Sequence, residues 1–191
     1  MSLADMLFVV DLGACTGCQT CAVACLDRAN AGDAALGDDA WLLRLHTLES
    51  GHFPTVQVQF RIAHCWHCAQ PACVPACAFA ALTQGADGLV ALDRTQCTGC
   101  GACVEACPFG AVHLLADGLA AKCDGCPDEA EAGREPVCVR ACPMRALALG
   151  SADIFADRPR QPDTAFDAHG LAPRVRFLRR RTSAPVERAA R

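Results

Sequence analysis

CTGCGACVEACP, residues 97–108, decides how the rest of the chain is read. Cys97, Cys100, Cys103 and Cys107 stand in the order C-x2-C-x2-C-x3-C, and Pro108 follows the last. Three thiolates on one tight loop can cap three irons of a cubane, while the fourth iron is reached by a cysteine from elsewhere. The spacing therefore predicts an iron-sulfur loop whose last cysteine serves a neighbouring cluster.

Working outward, the same theme occurs four times. Cys15, Cys18, Cys21 and Cys25 form an identical run in CTGCQTCAVAC. Cys65, Cys68, Cys73 and Cys77 widen one gap to four residues in CWHCAQPACVPAC, and Cys123, Cys126, Cys138 and Cys142 open it to eleven in CDGCPDEAEAGREPVCVRACP. Every group keeps the initial C-x2-C and the final C-x3-C. Gly17, Gly99 and Gly125 sit inside the first C-x2-C of their groups, where glycine lets the backbone turn and bring N–H groups toward sulfur. All sixteen cysteines are thus candidate iron ligands, enough for four [4Fe-4S] clusters.

Disulfides and structural zinc are the rival readings. Cysteines three residues apart on one loop make poor bridges, and no secretory signal is evident: the apolar run Met6–Val10 is bounded by Asp5 and Asp11, and no twin-arginine stretch opens the chain. Zinc sites normally take two C-x2-C pairs from separate turns, not three close cysteines and a fourth at C-x3-C. A soluble protein made in the cytoplasm, where thiols stay reduced, is expected, with no membrane span of its own.

Composition agrees with a chain folded around metal. Cysteine is about 8 per cent of 191 residues, Tyr is absent, and only Trp41 and Trp66 represent Trp. With few large core anchors, cluster binding must supply much of the folding free energy. The net charge of −4 divides into −8 for residues 1–150 and +4 for residues 151–191. An acidic body argues against nucleic acid as a partner.

Short strands are predicted at 7–12, 55–62, 89–92, 111–115 and 146–149, a turn at 84–88, and short helices starting near the last cysteine of each group. Residues 26–52 read as a helix remnant, a loop and a strand. After Gly150 cysteine disappears, Pro recurs at 159, 162, 173 and 185, and Arg179, Arg180 and Arg181 follow one another. This stretch reads as an extended arm ordered on a partner subunit, or as a solubilising tail.

The motifs CTGCQTCAVAC, HCWHCAQPACVPAC, CTGCGACVEACPFGA and KCDGCPDEAEAGREPVCVRACPMRAL resemble the iron-sulfur (B) subunits of the dimethyl sulfoxide reductase family of molybdenum enzymes over residues 7–155. The resemblance implies an α+β fold of two nested ferredoxin-like modules. Residues 1–52 and 112–150 form the first, residues 53–111 the inserted second, and residues 151–191 the C-terminal arm. Spacing alone does not distinguish nested from sequential pairing. Carried over, Cys15, Cys18, Cys21 and Cys142 share a cluster, as do Cys123, Cys126, Cys138 and Cys25. Cys65, Cys68, Cys73 and Cys107 share a third, and Cys97, Cys100, Cys103 and Cys77 the last. Relatives that bind a three-iron cluster replace one cysteine of group three; this chain has all four. It departs from the pattern at Leu26 and Ala78, where Pro is common, and neither is a ligand.

The resemblance further implies a wire, not itself catalytic, between a molybdopterin catalytic subunit and a membrane anchor that exchanges electrons with quinol. Association with the membrane would come through those partners, on the periplasmic face if the chain is exported with one of them and otherwise in the cytoplasm. The alternative is a stand-alone polyferredoxin or maturation protein serving several redox enzymes. Lys122 and Arg140, beside Cys123 and between Cys138 and Cys142, are candidates to raise cluster potentials, against a plain reading as surface charges. His64 and His67, flanking Cys65, are candidate hydrogen-bond donors or partner contacts.

Overall fold

The computed structural model describes residues 7–31 and 35–180. Its central strand, β1 (Leu7–Asp11), is the uninterrupted apolar run Leu-Phe-Val-Val ending in a carboxylate. Such a run suits a strand covered on both faces. Phe8 and Val10 point into the main core with Trp66, Leu147 and Phe177, while Val9 faces Ala148, Phe155 and Leu178 on the other side.

β1 pairs antiparallel with β8 (Leu147–Gly150) and parallel with β10 (Val175–Arg180), which pairs in turn with the edge strand β9 (Arg160–Pro162). Three two-stranded hairpins complete the fold: β2 (Arg44–Ser50) with β3 (Gln57–Ala63), β4 (Leu82–Gln84) with β5 (Val90–Leu92), and β6 (His113–Leu114) with β7 (Ala120–Ala121). The helices are short apart from α1 (Thr20–Ala29); the others are α2 (Ala102–Glu105), α3 (Pro127–Glu131) and α4 (Val137–Ala141). The mixed α and β architecture agrees with the sequence.

Two strand pairings position the cysteine groups. β1 leads into group one and β8 leaves group four, so the register Val10↔Leu147 sets the loop of Cys15 beside Cys142. β4 leaves group two and β5 leads into group three, so Leu82↔Leu92 sets Cys77 beside the loop of Cys97.

The helices differ in phase from the prediction. They do not start at the last cysteine of a group: α2 and α4 carry the third and stop just before the fourth, α1 spans Cys21 and Cys25 and runs on, and group two has only turns over residues 72–76. A cysteine whose thiol must face a neighbouring loop is better placed where the helical path ends.

Besides the patch around Val9, two cores are present. Ile62, Trp66 and Cys68 pack in the main core with Val10 and Leu147, whereas Val112 and Ala120 pack in the smaller core with Leu82, Val90 and Cys103.

The larger difference is the stretch after Gly150. Up to residue 180 it is not an arm: it makes a 3₁₀ turn (Ala152–Phe155) and then supplies two of the four strands of the central sheet. Its prolines mislead because Pro162 lies in an edge strand, where a missing N–H is tolerated. Residues 181–191, including Arg181, lie outside the described residues.

Ion pairs hold this return in place. The fully buried Asp11 faces Arg158, at 3.2 Å, and Arg160, while its Oδ1 accepts the N–H groups of Gly13 and Ala14 at 3.0 and 3.1 Å. Arg61 of β3 meets Asp163 at 2.6 Å, with its guanidinium 5.2 Å from the Phe177 ring centre.

Asp11→Ala is expected to cost on the order of 3–5 kcal/mol, because it strands two arginines and orphans two N–H groups. Asp167→Ala, which removes an exposed partner of His169, should cost less than about 1 kcal/mol. Denaturant unfolding of the metal-loaded chain, with proteolysis monitored across residues 151–174, separates the two; equal stability would remove Asp11 from this role.

Candidate iron-sulfur centres

The cysteine loops share one backbone device. The residue before the second cysteine of each group is left-handed: Gly17 and Gly99 at φ 71°, Gly125 at 86°, and His67 at 45°. This conformation turns its N–H back toward the first cysteine, as the bonds from Gly17 to Cys15, His67 to Cys65 and Gly125 to Cys123 record. A side chain is also excluded by space at two of these positions. A Cβ on Gly17 would lie 2.6 Å from Phe60, and one on Gly99 would collide with the Gly118 carbonyl.

A second turn follows the last cysteine of three groups. Ala80, Gly110 and Arg145, three residues beyond Cys77, Cys107 and Cys142, are all left-handed and donate their N–H to the carbonyl of that cysteine at 3.1–3.2 Å. The next N–H reaches sulfur, as from Ala146 to Cys142 Sγ at 3.3 Å. Ala120 N–H donates likewise to Cys97 Sγ at 3.4 Å, and Thr20 Oγ1 to Cys18 Sγ at 3.3 Å.

The thiols gather into four sets, each with three from one group and one from another. Cys15, Cys18, Cys21 and Cys142 wall one cavity, and Cys77, Cys97, Cys100 and Cys103 wall another. Cys25, Cys123, Cys126 and Cys138 line a third cavity of about 80 Å³, which Cys65 lines as well. Cys65, Cys68, Cys73 and Cys107 stand close enough to affect one another's ionisation.

Burial, and then the charge of set-mates, opposes ionisation through most of this array. Burial and Cys142 push Cys21 up to about 11. Burial and Cys126 push Cys25 up to about 12. Burial, Cys65 and Cys107 push Cys68 up to about 12 and Cys73 to about 11. Cys123 is pushed well up by burial and by the charges of Cys25, Cys65 and Cys138.

Two thiols go the other way. Cys18 is lowered by the hydroxyl and N–H of Thr20. At Cys77 burial is outweighed by the N–H groups of Leu82, Phe79 and Ala81.

These residues fit a bound iron-sulfur cluster. All sixteen cysteines are free thiols. Thiols with raised pKa values need compensating positive charge before they can serve as thiolates, and iron supplies it. Among the described residues no three His, Cys, Asp or Glu side chains converge to hold one metal ion. Thiols facing each other across a cavity suit a multi-iron group better than one zinc, whose sulfur ligands all lie about 2.3 Å from the metal.

The other predicted residues are placed as follows. Lys122 is buried and donates Nζ to the carbonyls of Val90 and of Cys123, the latter at 2.9 Å. Its charge favours the Cys65 thiolate, against the larger effect of burial. Arg140 is drawn instead to Glu129, at 3.1 Å, with its side chain 45% exposed. His64 and His67 are both buried on the wall of the cavity around Cys123.

Sequence reasoning missed Arg28, on the turn after Cys25. Its guanidinium grips Asp124, at 2.9 Å, and Asp128, tying the loop of group four to α1 across about a hundred residues. An arginine three places after a cysteine carries no local sign of such a partner.

Thiol sets of this make, on left-handed turns that aim N–H groups at sulfur, define a ferredoxin-type iron-sulfur protein. The family described as "4Fe-4S dicluster domain" matches residues 56–152, and "4Fe-4S binding domain" matches residues 12–28. The B subunit of the anaerobic dimethyl sulfoxide reductase of Escherichia coli is 35% identical over 181 residues, covering 90% of this chain and 84% of its own. The corresponding subunit of Haemophilus influenzae is 35% identical over 156 residues, covering 76% and 74%. The iron-sulfur subunit of the nitrate-inducible formate dehydrogenase of E. coli is 30% identical over 181 residues, covering 87% of this chain and 61% of its own. The chain belongs to the family of iron-sulfur (B) subunits of dimethyl sulfoxide reductase-type molybdopterin oxidoreductases, and its role is electron transfer.

Gly99→Ala is expected to lower iron and acid-labile sulfide per chain, because the added methyl meets the Gly118 carbonyl. Gly133→Ala has a similar φ of 69° but open space, and should leave both values near wild type. Metal and sulfide analysis after anaerobic purification checks the pair, and equal contents would mean that the close approach is not what Gly99 is there for.

Proposed function

We propose that the chain carries four [4Fe-4S] clusters, one on each thiol set, and relays electrons between a quinol-reactive membrane anchor and a molybdopterin catalytic subunit such as a dimethyl sulfoxide reductase. The observation that carries this reading is the crossing of thiols between cysteine groups. Cys142 stands with Cys15 and Cys21, Cys25 with Cys126 and Cys138, Cys107 with Cys65 and Cys73, and Cys77 with Cys103. When bound, such a cluster accepts and returns one electron at a time.

Neighbour relations among the cysteines support a row of four sites. Cys21 and Cys25 lie one helical turn apart on α1, Cys123 and Cys65 feel each other's charge, and Cys103 and Cys107 are joined through α2. The end sets each present an exposed cysteine, Cys18 at one end and Cys100 at the other. Exposed apolar side chains flank them, Met144 near the first and Phe79 and Leu114 near the second. This supports two ports facing two partners.

The middle sets are shielded, and their N–H and cationic surroundings set how readily an extra negative charge is held. Lys122, His64, His67 and Arg140 are the proposed tuning residues, with Arg140 weakened in that role by its pairing to Glu129 and His64 by the bond of its Nδ1 to the Cys65 carbonyl. Among the described residues no helix is long and apolar enough to cross a membrane, so the anchor is assigned to a partner. The proposed side of the membrane is the periplasmic face if the chain is exported with a partner subunit and the cytoplasmic face otherwise.

Cluster removal by serine substitution tests the assignment. Cys142→Ser and Cys18→Ser should abolish or alter the same electron paramagnetic resonance signal, although 124 positions separate them. Cys126→Ser should affect the signal that Cys25→Ser affects. If Cys142→Ser instead behaves like Cys126→Ser, group four keeps its own fourth ligand, and if it behaves like Cys100→Ser the pairing is sequential; either result makes the proposal wrong. Co-purification with a molybdopterin subunit, against recovery of the protein alone, tests the relay.

A further inference from the structure

His67 stands where the other three cysteine groups carry glycine, immediately before the second cysteine of the first C-x2-C. It keeps the same left-handed backbone, at φ 45°, although a side chain there is strained. A strained histidine in place of a repeated glycine calls for a use for the ring.

The ring is buried, 7% exposed, and its Nδ1 accepts the N–H of Val90 at 3.0 Å. An imidazolium has no lone pair to accept that bond, so the ring is neutral and its single proton sits on Nε2. Nε2 is itself buried and without a protein partner. It abuts Gly125, where a Cβ would lie 3.6 Å away, on the wall of the cavity that Cys123, Cys126 and Cys138 share with Cys25. Gly125 is the turn residue of group four, so a side chain rooted in the loop of group two reaches over the loop of group four.

His64, on the same cavity, is wired the opposite way. Its Nδ1 lies 2.8 Å from the Cys65 carbonyl and must donate to it, which leaves Nε2 as a bare acceptor with nothing to offer an anionic sulfur. Of the two histidines only His67 presents a free proton.

We propose that His67 Nε2–H is a hydrogen-bond donor to sulfur at the site of Cys25, Cys123, Cys126 and Cys138, reaching it from the neighbouring set's loop and stabilising the more negative, reduced form of that site. The inference rests on the reading of the thiol sets as cluster sites. Val90 is then the positioning residue: its N–H fixes the tautomer of His67 while its carbonyl holds the Lys122 ammonium. A neutral donor and a fixed cation act on adjoining sets from one strand, β5.

The test is a redox titration of the full cluster-loaded chain, followed by electron paramagnetic resonance. His67→Gly restores the residue type of the other groups and relieves the strained backbone while deleting the donor. His67→Asn tolerates the left-handed turn but is too short to reach over Gly125. In both variants the signal assigned through Cys126→Ser is expected to shift to lower potential, with the other signals, iron and sulfide as in wild type. Unchanged potentials at full iron content would overturn the proposal. Where both variants lose iron, pulsed resonance on wild type labelled with nitrogen-15 histidine decides: a histidine nitrogen coupled to that signal supports the donor, and no coupling overturns it. A wild-type protein with fewer than four clusters overturns the underlying site reading, a result visible before any variant is made.

Discussion

A buried thiol does not ionise unaided, and the whole structure turns on that fact. Eight of the sixteen cysteines are buried in the folded chain, in the company of aliphatic side chains such as Val10, Leu82, Val90 and Leu147. Burial raises the cost of a thiolate, and each thiolate raises the cost of the next. Positive charge must arrive with the fold, so cluster binding and completion of the core are coupled. The sparse aromatic content fits this: Phe8, Trp66 and Phe177 form one patch in the main core, while the smaller core holds only aliphatic and cysteine side chains.

The sheet pairings turn this chemistry into a particular arrangement. Antiparallel pairing of β1 with β8, and of β4 with β5, solves the same problem twice. In each case a strand entering one cysteine loop lies beside the strand leaving another, which delivers a fourth thiol to three already in place. Arg28 with Asp124, and Val90 with His67 and Lys122, cross-link loops that those strands bring together.

Much of this was legible in the sequence, and the limits of legibility have physical causes. The C-x2-C signatures, the glycines at 17, 99 and 125, and the strands at Leu7, Val90 and Leu147 are local features, so local reasoning found them. Helix phase was not, since whether a helical turn precedes or follows Cys142 depends on which neighbouring loop its sulfur must face. The return of residues 160–180 was hidden because Arg158 and Arg160 look like a solvated basic tail until Asp11, about 150 residues away, is known to be buried and in need of partners. His67 was read as a candidate donor or partner contact; that its backbone keeps the left-handed turn of the glycines it replaces is seen only in the φ angle.

The parallel insertion of β10 between β1 and β9 constrains the order in which the molecule can be made. On the ribosome, all eight thiols of the Cys65 and Cys77 sets have emerged once residue 107 is out. The sets that contain Cys25 and Cys142 wait for residues 138 and 142. Even then β1 lacks one flank until residue 180 is delivered. Biogenesis thus runs from the inside outward, and the earliest strand to leave the exit tunnel is among the last to be enclosed.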